Sequence, residues 1–377
     1  MLSFARLVDK ATGFLTPGGR GNPAHTDMVT IKDIAQRLGV SASTITRALA
    51  DSPRISTSLR IRVKQVAEEM GYVAHAPARI MRGHRSSLLG LVVPDIQNEF
   101  YSTVAKAMSD CCKDAGMHVA LLVTDDDPEV ELRQVRGLAS AQAAGFVVVA
   151  TAQPRPETIA LLERVPHVEL VRKSPRLNSD WFGIDDAGGL HLATRHLLSL
   201  GHRRIAYIGG SPGLSTGAAR RQGYMDAMRE AGLGTQDMLV EAGGNGERHA
   251  RDAMRRLMKT QPRPTAVVSG GSRTTIGILQ GLQGAGVSVP DELSVVGFND
   301  SESTGLWSPG LTTLALPVRE IALSCSALLL RRIRESGKDA NPGLEPPYRA
   351  TYATSLITRA STAPVREQGS STRKRPA

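Results

Sequence analysis

The chain of 377 residues is 41% hydrophobic and 22% charged, which is ordinary for a globular protein with room for two or three domains. Its net charge of +10 at pH 7 favours an acidic partner such as nucleic acid. It contains no apolar run of about 18 residues, which excludes a membrane-spanning helix. The segment before Met28 lacks the apolar core of a secretory signal peptide. The three cysteines, Cys111, Cys112 and Cys325, fit a reducing compartment, so we expect a cytoplasmic protein without cofactor or metal.

Residues 1–27 differ in character from the rest of the chain. Phe4 and Leu7 begin a weakly amphipathic pattern that gives way to a stretch rich in Gly, Pro and Asn. We expect a disordered extension, or translation assigned upstream of a true start at Met28. A partner-binding arm is the alternative interpretation of the same pattern.

Residues 29–49 have the pattern of a helix-turn-helix. Thr30 and Asp33 predict a capping box at the start of a first helix, Gly39 predicts its end, and Ser41 predicts the cap of a second helix. Apolar residues at helical spacing let the two helices pack together: Ile31, Ile34, Ala35, Leu38, Ile45, Ala48 and Leu49. The residues left facing outward are small or polar, with one cation: Ala42, Ser43, Thr44, Thr46 and Arg47. Such a face suits base edges and phosphates in a major groove.

A third predicted helix completes a small domain over residues 28–73. Ser56 or Thr57 caps it and Gly71 ends it, with Leu59 and Val63 on its apolar face. Residues 28–85 carry ten Lys and Arg against four acids, so the basic charge is concentrated here. A helical hairpin at the edge of some other domain is the alternative, but a local basic patch is the electrostatic signature of nucleic-acid binding.

Residues 74–86 are predicted to form a hinge with a short helix at 76–82, and beyond them β and α patterns alternate. Strands are predicted at 88–94, 118–124, 145–150, 167–171, 204–209, 238–241, 265–269 and 293–297. Helices are predicted at 99–115, 128–143, 156–164, 187–200, 217–232, 247–259, 273–285 and 318–335. Strict alternation indicates an α/β core over residues 87–360, with two doubly wound parallel sheets and a ligand between them. Residues 361–377 are predicted to be a disordered basic tail.

Several motifs in this order resemble the LacI-type family of bacterial transcription regulators. They are Val29-Thr-Ile-Lys-Asp-Ile-Ala, Gly39-Val-Ser, Met70-Gly-Tyr72, Gly90-Leu-Val-Val-Pro94, Leu200-Gly-His-Arg-Arg-Ile-Ala-Tyr-Ile-Gly209, Val289-Pro-Asp-Glu-Leu-Ser-Val-Val-Gly-Phe298 and Leu311-Thr-Thr313. The resemblance spans about Met28 to Ala360. It implies a homodimer with an N-terminal helix-turn-helix, a hinge helix that orders on operator DNA, and a two-lobed core like that of periplasmic sugar-binding proteins.

The resemblance also assigns roles in DNA binding. Ala42 and Ser43 occupy the family's specificity positions, and Arg47 matches its Arg at the central turn of the recognition helix. Thr30, Ser41, Thr44 and Thr46 are expected to contact phosphates, with Arg54 and Arg79 of the basic patch as further contacts. Met81 stands where the family has a Leu that wedges into the minor groove, and we expect it to intercalate. Ala74-His75 replaces the usual Pro-Asn start of the hinge.

In the core, the resemblance points to an effector site. Arg220 matches a family Arg that reaches into the cleft, and Phe100 and Tyr101 follow the first strand, where a role in the core is equally open. Asn299 and Ser272 stand where acids are common, and Arg172 falls near another ligand position. Relative to the family, the site thus has fewer acids and one more cation. We therefore hypothesise an anionic effector, such as a sugar acid or sugar phosphate.

Three other classes of function compete with that of a repressor controlled by a carbohydrate. A periplasmic sugar-binding protein is the main alternative, but it has no use for residues 28–85. An enzyme is disfavoured because no phosphate-binding loop, dinucleotide fingerprint or nucleophile elbow appears in context. An architectural DNA-binding protein leaves the core without a role. Induction and corepression both remain open, and residues 361–377 lack the heptads of a tetramerising coiled coil.

Overall fold

The computed structural model describes residues 29–72, 86–244, 246–336 and 346–365. The chain divides into two compact units, Met1–His84 and Arg85–Ala377. No helix in the described part of the chain combines the length and apolar character needed to cross a membrane.

The N-terminal unit consists of α1 (Ile31–Leu38), α2 (Ala42–Leu49) and α3 (Thr57–Glu69). The predicted caps are present: Thr30 and Asp33 form a capping box, Ser41 caps α2, and Ser56 rather than Thr57 caps α3. Gly39 ends α1 with a φ of 66°, a left-handed conformation that glycine adopts without steric cost. Ile34, Ile45 and Val63 are fully buried where the helices meet, so the predicted three-helix domain is confirmed.

The second unit alternates strands and helices around two sheets. Its first lobe contains β1 (Leu88–Val93), α4 (Glu99–Lys113), β2 (His118–Val123), α5 (Pro128–Ser140), β3 (Gly145–Val148), α6 (Pro156–Leu162), β4 (His167–Leu170) and β5 (Asp180–Ile184). The second lobe contains α7 (Asp186–Ser199), β6 (Ile205–Gly209), α8 (Ser215–Glu230), β7 (Leu239–Ala242), α9 (Glu247–Leu257), β8 (Ala266–Gly270), α10 (Ser272–Ala285), β9 (Ser294–Phe298), α11 (Glu302–Leu306) and β10 (Thr312–Ala315). The chain then returns to the first lobe as α12 (Val318–Glu335) and β11 (Arg349–Tyr352), and to the second as β12 (Ser355–Ile357).

Each lobe is a six-stranded sheet with apolar clusters on both faces. The strand orders are β11-β5-β4-β3-β1-β2 and β12-β10-β9-β8-β6-β7. In the first lobe, α4 and α12 cover one face while α5 and α6 cover the other; in the second, α9 and α10 oppose α7 and α8. This arrangement confirms the predicted pair of doubly wound sheets, whose central strands are buried on both sides.

The alternation is nevertheless not strict, and four strands were not predicted. β5, β10, β11 and β12 break the pattern, and β12 runs antiparallel to β10. β11 and β12 are short edge strands whose residues are exposed or half-buried, so they lack the apolar run that marks an interior strand. β5 begins with the polar Asp180, and the short helix α11 has no buried residue. β11 and β12 pair with β5 and β10, which lie far earlier in the chain, so local periodicity does not mark them.

The segment after β12 packs against the second lobe, so the prediction of a disordered tail from Ser361 onward is wrong for residues 361–365. The side chain of Ser361 is fully buried, and its hydroxyl donates to the Val295 carbonyl (2.7 Å) and accepts from the Thr312 amide (2.8 Å). The Ala363 amide donates to the hydroxyl of Ser294 (3.1 Å). Ser and Thr hydroxyls thus satisfy backbone groups at the sheet edge, which a prediction of disorder from composition did not anticipate. Residues 366–377 lie outside the described part of the chain.

His202 holds this segment in place and gives the lobe a pH-dependent contact. Its Nε2 lies 3.0 Å from the Ala363 carbonyl and its Nδ1 lies 2.9 Å from the hydroxyl of Thr265, which suits a neutral ring that donates at one nitrogen and accepts at the other. Burial lowers the pKa of His202, against a smaller raising effect of the hydrogen bond to Ala363. Because the folded pKa lies below the unfolded value of 6.5, this stabilisation is complete above that pH and is lost as pH falls below it.

We therefore expect His202→Gln to reduce the free energy of unfolding by about 1–3 kcal/mol at neutral pH, because a buried hydrogen-bonded group is lost. The deficit relative to wild type should shrink as pH falls from about 7.5 to about 5.5, since wild type alone must then protonate a buried ring. Urea unfolding at several pH values measures both. His118→Gln is the control, because His118 is exposed; it should change the free energy of unfolding by no more than about 0.5 kcal/mol. A deficit independent of pH would contradict the titration of His202.

Candidate nucleic-acid interface and ligand cleft

The outward face of α2 is small, polar and cationic. Ala42, Ser43 and Arg47 are exposed, whereas Ile45 and Ala48, on the opposite face, are fully buried. Thr44 and Thr46 are half-buried at the edges of the outward face. The packing of α2 on α1 therefore leaves the predicted base-reading side chains free to meet a groove.

Several hydroxyls predicted to contact phosphates also cap helices. The Ser41 hydroxyl accepts from the Thr44 amide (3.2 Å) and lies 2.8 Å from the Ser43 hydroxyl oxygen. The Thr30 hydroxyl donates to the Asp33 carboxylate (2.7 Å), and hydrogen bonds from Thr30 lower the pKa of Asp33. A phosphate at Thr30 would meet that carboxylate, so the first role of Thr30 is to begin α1.

Two exposed cations lie on α2 or shortly after it in the chain. Arg47 and Arg54 are exposed, and the ion pair described within residues 29–72 joins two other side chains, Lys64 and Asp51 (2.7 Å). The guanidinium groups of Arg47 and Arg54 therefore remain available for phosphates or bases. Arg79 and Met81, predicted to contact DNA from the hinge, lie outside the described residues.

A cavity of about 300 Å³ lies between the two lobes of the second unit. The first lobe lines it with residues that follow β1, β2 and β4, and the second lobe with residues that follow β6 and β8. The carboxyl ends of parallel strands are the usual place for a ligand in such sheets. The volume is near the lower end of the range for small-molecule sites. Five predicted effector residues line it: Phe100, Tyr101, Arg172, Arg220 and Ser272.

Arg220 extends from α8 into this cleft and is held on three sides. Its Nε donates to the Asp186 carboxylate (2.6 Å), its Nη1 donates to the Gly270 carbonyl (3.0 Å), and its guanidinium carbon lies 4.2 Å from the centroid of the Phe298 ring. Burial raises the pKa of Asp186, while the neighbouring Arg220 opposes that effect. The guanidinium is thus fixed in direction before any ligand arrives, which lowers the entropic cost of binding.

Arg172 is held in the same way on the first lobe. Both of its terminal nitrogens donate to the Asp126 carboxylate, and Nη1 also donates to the Ala150 carbonyl (3.2 Å). Its side chain is only 8% exposed. Nearby, the buried Glu131 carboxylate accepts from the amide and hydroxyl of Thr151 (3.0 and 2.7 Å). The predicted extra cation is therefore neutralised by a carboxylate that the sequence did not pair with it.

Phe100 and Tyr101 pack in the core of the first lobe and also line the cleft. They are 5% and 7% exposed and meet edge to face, with ring centroids 5.2 Å apart. Burial raises the pKa of Tyr101, so its hydroxyl is neutral at physiological pH. Asn299 is absent from the cleft lining; it borders neighbouring cavities together with Glu99 and Thr304, and has a φ of 70°. Of the predicted effector residues, Asn299 alone is missing from this cleft, although it shares a neighbouring cavity with Ser272.

Backbone strain is concentrated at the same cleft. Asp125, Asp126 and Val171 line it with φ values of 53°, 59° and 53°. Left-handed backbone is unfavourable for a β-branched residue, and such conformations cluster where a ligand site requires them. Sequence reasoning missed these residues, together with Asp95, Asp186 and Arg273. The run Asp125-Asp126-Asp127 directly after a predicted strand was the available signal.

Comparison with known proteins gives one consistent result. Residues 30–75 match the family described as bacterial regulatory proteins, lacI family, and residues 194–362 match a periplasmic binding protein-like domain. The chain is 31% identical over 304 residues to the transcriptional regulator GalR of Escherichia coli, covering 80% of this chain and 89% of GalR.

Two solved structures show the same architecture. A lac repressor dimer bound to operator and the anti-inducer ONPF aligns with a TM-score of 0.74 at 20% identity, over 89% of this chain and 99% of that one. A LacI family regulator from Enterococcus faecium with bound ribose aligns with a TM-score of 0.65 at 25% identity, over 74% of this chain and 100% of that one.

Proposed function

Because the chain belongs to the lacI family of bacterial regulatory proteins, we propose that it is a dimeric transcriptional repressor controlled by a small carbohydrate. The helix-turn-helix unit binds an operator through the outward face of α2, and the cleft between the lobes binds the effector. The observation that carries the first part is the exposed face of Ala42, Ser43 and Arg47 over the fully buried Ile45 and Ala48.

The DNA-binding unit favours this function over that of a periplasmic sugar-binding protein. A ligand carrier has no use for three capped helices with a basic surface, and residues 30–75 match the DNA-binding part of the family. The same match favours a cytoplasmic regulator over an enzyme. A regulator converts ligand binding into a change in operator affinity, which requires both units in one chain.

The cleft favours an uncharged sugar over the anionic effector suggested by the sequence. Arg172 and Arg220 each face a carboxylate, Asp126 and Asp186. Asp95 and Asp125 also line the cavity. A carboxylate or phosphate on the ligand would compete with these acids for the same guanidinium groups and would be repelled by them. Hydroxyl groups can instead donate to the carboxylates and accept from the arginines.

Thermal unfolding of the purified protein with a panel of sugars tests this effector class. Neutral pentoses and hexoses are expected to include a ligand that raises the melting temperature, since a ligand bound only by the folded state stabilises it. The corresponding sugar acids and sugar phosphates serve as matched controls. Stabilisation by sugar acids or sugar phosphates alone would contradict a neutral effector and would indicate an anionic one.

Selection of genomic fragments by the purified protein, at near-physiological salt, tests the DNA-binding function. We expect recovery of an inverted repeat, because a symmetric dimer presents two copies of α2 to two half-sites. Recovery of unrelated fragments whose binding falls steeply with salt would show non-specific binding through phosphates and would contradict an operator reader.

Control of the operator requires that closure of the cleft reaches the DNA-binding unit. In the proposed mechanism the effector changes the relative position of the lobes, and residues 74–86 carry that change to the helix-turn-helix. Arg79 and Met81 remain predicted contacts of this hinge. The effector can shift operator affinity by no more than the factor by which its own affinity differs between the two conformations.

A further inference from the structure

Arg273, in the first turn of α10, contacts acidic or polar groups of both lobes. Within its own lobe, Nη1 lies 2.9 Å from Oε1 of Glu247, the first residue of α9. Across the cleft, Nε lies 3.6 Å from Oδ2 of Asp95, and Nη2 donates to Oε1 of Gln97 (3.2 Å). Asp95 and Gln97 follow β1 of the first lobe. One guanidinium therefore joins the two lobes at the edge of the cleft.

The side chains of this cluster are partly open to solvent. Arg273 and Glu247 are 25% and 26% exposed, and Asp95 is 40% exposed. Pairs of this kind contribute little to stability and exchange partners readily, because water competes for each charge. The fork of a guanidinium also lets one Arg serve two acceptors at once. The cluster is thus suited to an exchange of partners by Arg273 rather than to holding the two lobes together permanently.

A second contact reports independently on closure. The backbone amide of Lys173, which follows β4 of the first lobe, donates to the hydroxyl of Ser215 at the start of α8 in the second lobe (3.0 Å). This hydrogen bond contains neither Arg273 nor its partners. Opening of the cleft must break it and expose the Lys173 amide to water, so exchange of that amide reads the position of the lobes.

We propose that Arg273 is an interlobe latch that divides its guanidinium between Glu247 of its own lobe and Asp95 with Gln97 of the other. Contact with Asp95 and Gln97 favours the closed cleft, whereas a guanidinium that turns wholly to Glu247 releases the first lobe and favours the open cleft. The balance sets the fraction of closed protein before effector binds. Its consequence for operator affinity rests on the proposed function, whereas its effect on closure does not.

The two carboxylates have opposite effects, which distinguishes a latch from a structural ion pair. Asp95→Asn weakens the interlobe contact and is expected to raise the opening equilibrium about two- to fivefold, the range for partly exposed pairs. Glu247→Gln removes the competing carboxylate and is expected to lower it. High salt screens the pair of Arg273 and Asp95. The difference in opening equilibrium between Asp95→Asn and wild type should therefore become smaller at high ionic strength.

Amide hydrogen exchange of the full chain, without DNA or sugar, tests the latch at Lys173. Exchange should be faster in Asp95→Asn and slower in Glu247→Gln. Asp110→Asn is the matched control: Asp110 is 42% exposed and pairs with Lys106 within α4, so Lys173 should exchange as in wild type. Exchange of the buried Val147 amide verifies folding of each variant.

Three results would overturn the latch. They are equal exchange at Lys173 in all variants, a shift of the same sign in Asp95→Asn and Glu247→Gln, and an unprotected Lys173 amide in wild type. Because the experiment contains no operator and no sugar, failure of the latch leaves the proposed function untouched. Failure to bind an operator likewise leaves the exchange result intact.

Discussion

Arg220→Met is expected to lower the free energy of unfolding by about 3–5 kcal/mol, the usual cost of removing one partner of a buried ion pair. Asp186 is 6% exposed, and Arg220 is the partner that its carboxylate holds at 2.6 Å. Methionine keeps most of the aliphatic volume but leaves that carboxylate buried and unpaired. The same variant should lose the rise in melting temperature that sugars produce, because a fixed donor of the cleft is gone.

The pH dependence of this loss identifies its cause. Burial raises the pKa of Asp186, and in the variant no guanidinium opposes that effect. A carboxyl group whose folded pKa lies above its unfolded value is stabilising at low pH and loses that contribution as pH rises. The deficit of Arg220→Met should therefore shrink as pH falls toward the range in which Asp186 protonates. Urea unfolding over a pH series measures it.

Two further variants control this prediction. Arg220→Met combined with Asp186→Asn should recover much of the lost stability, because no buried charge then lacks a partner. Arg221→Met, at the exposed neighbouring position of α8, should change stability by no more than about 0.5 kcal/mol. A double variant no more stable than Arg220→Met would show that the loss comes from packing rather than from the charge of Asp186.

Arg47→Ala is expected to weaken operator binding about five- to 150-fold while leaving non-specific DNA binding much less affected. This range corresponds to about 1–3 kcal/mol for a bidentate contact with a base. Arg47 is exposed on the face of α2 that also presents Ala42 and Ser43. Fluorescence anisotropy with the selected operator and with a scrambled duplex measures both affinities.

Arg62→Ala is the matched control for this variant, because Arg62 is an exposed cation of α3 outside that face. Loss of a contact to phosphate alone weakens binding to all duplexes about equally and lowers the salt dependence of the affinity by about one charge. We expect Arg62→Ala to behave in this way, if it acts at all. Equal losses on operator and scrambled DNA for Arg47→Ala would assign Arg47 to phosphates and leave base reading to other residues.

The N-terminal unit was predicted well because its signals are local. Caps such as Thr30 and Ser41, the terminator Gly39 and the apolar spacing of Ile34 and Ile45 all act within a few residues. Interior strands were found for a similar reason, since burial on both faces requires continuous apolar runs. The edge strands β11 and β12 have no such run, and their position depends on pairing with β5 and β10, far earlier in the chain.

The cleft illustrates the same limit. Family resemblance selected Arg172 and Arg220, both of which line the cavity. Their carboxylate partners lie 46 and 34 residues away in sequence and meet them only in the folded lobes. Because the sequence does not pair Asp126 and Asp186 with these arginines, it suggested a cationic site and an anionic effector. The residue type at a single position does not show whether its charge is neutralised by a residue that is distant in the sequence.

In the proposed function, a sugar bound in the cleft changes the affinity of this protein for its operator. The most direct test is an equilibrium titration of the selected operator with wild-type protein, with and without the neutral sugar that most raises the melting temperature. We expect the operator dissociation constant to change about five- to 150-fold at saturating sugar, the usual range of coupling between two sites, with a rise for induction and a fall for corepression. An unchanged dissociation constant at saturating sugar would contradict the account.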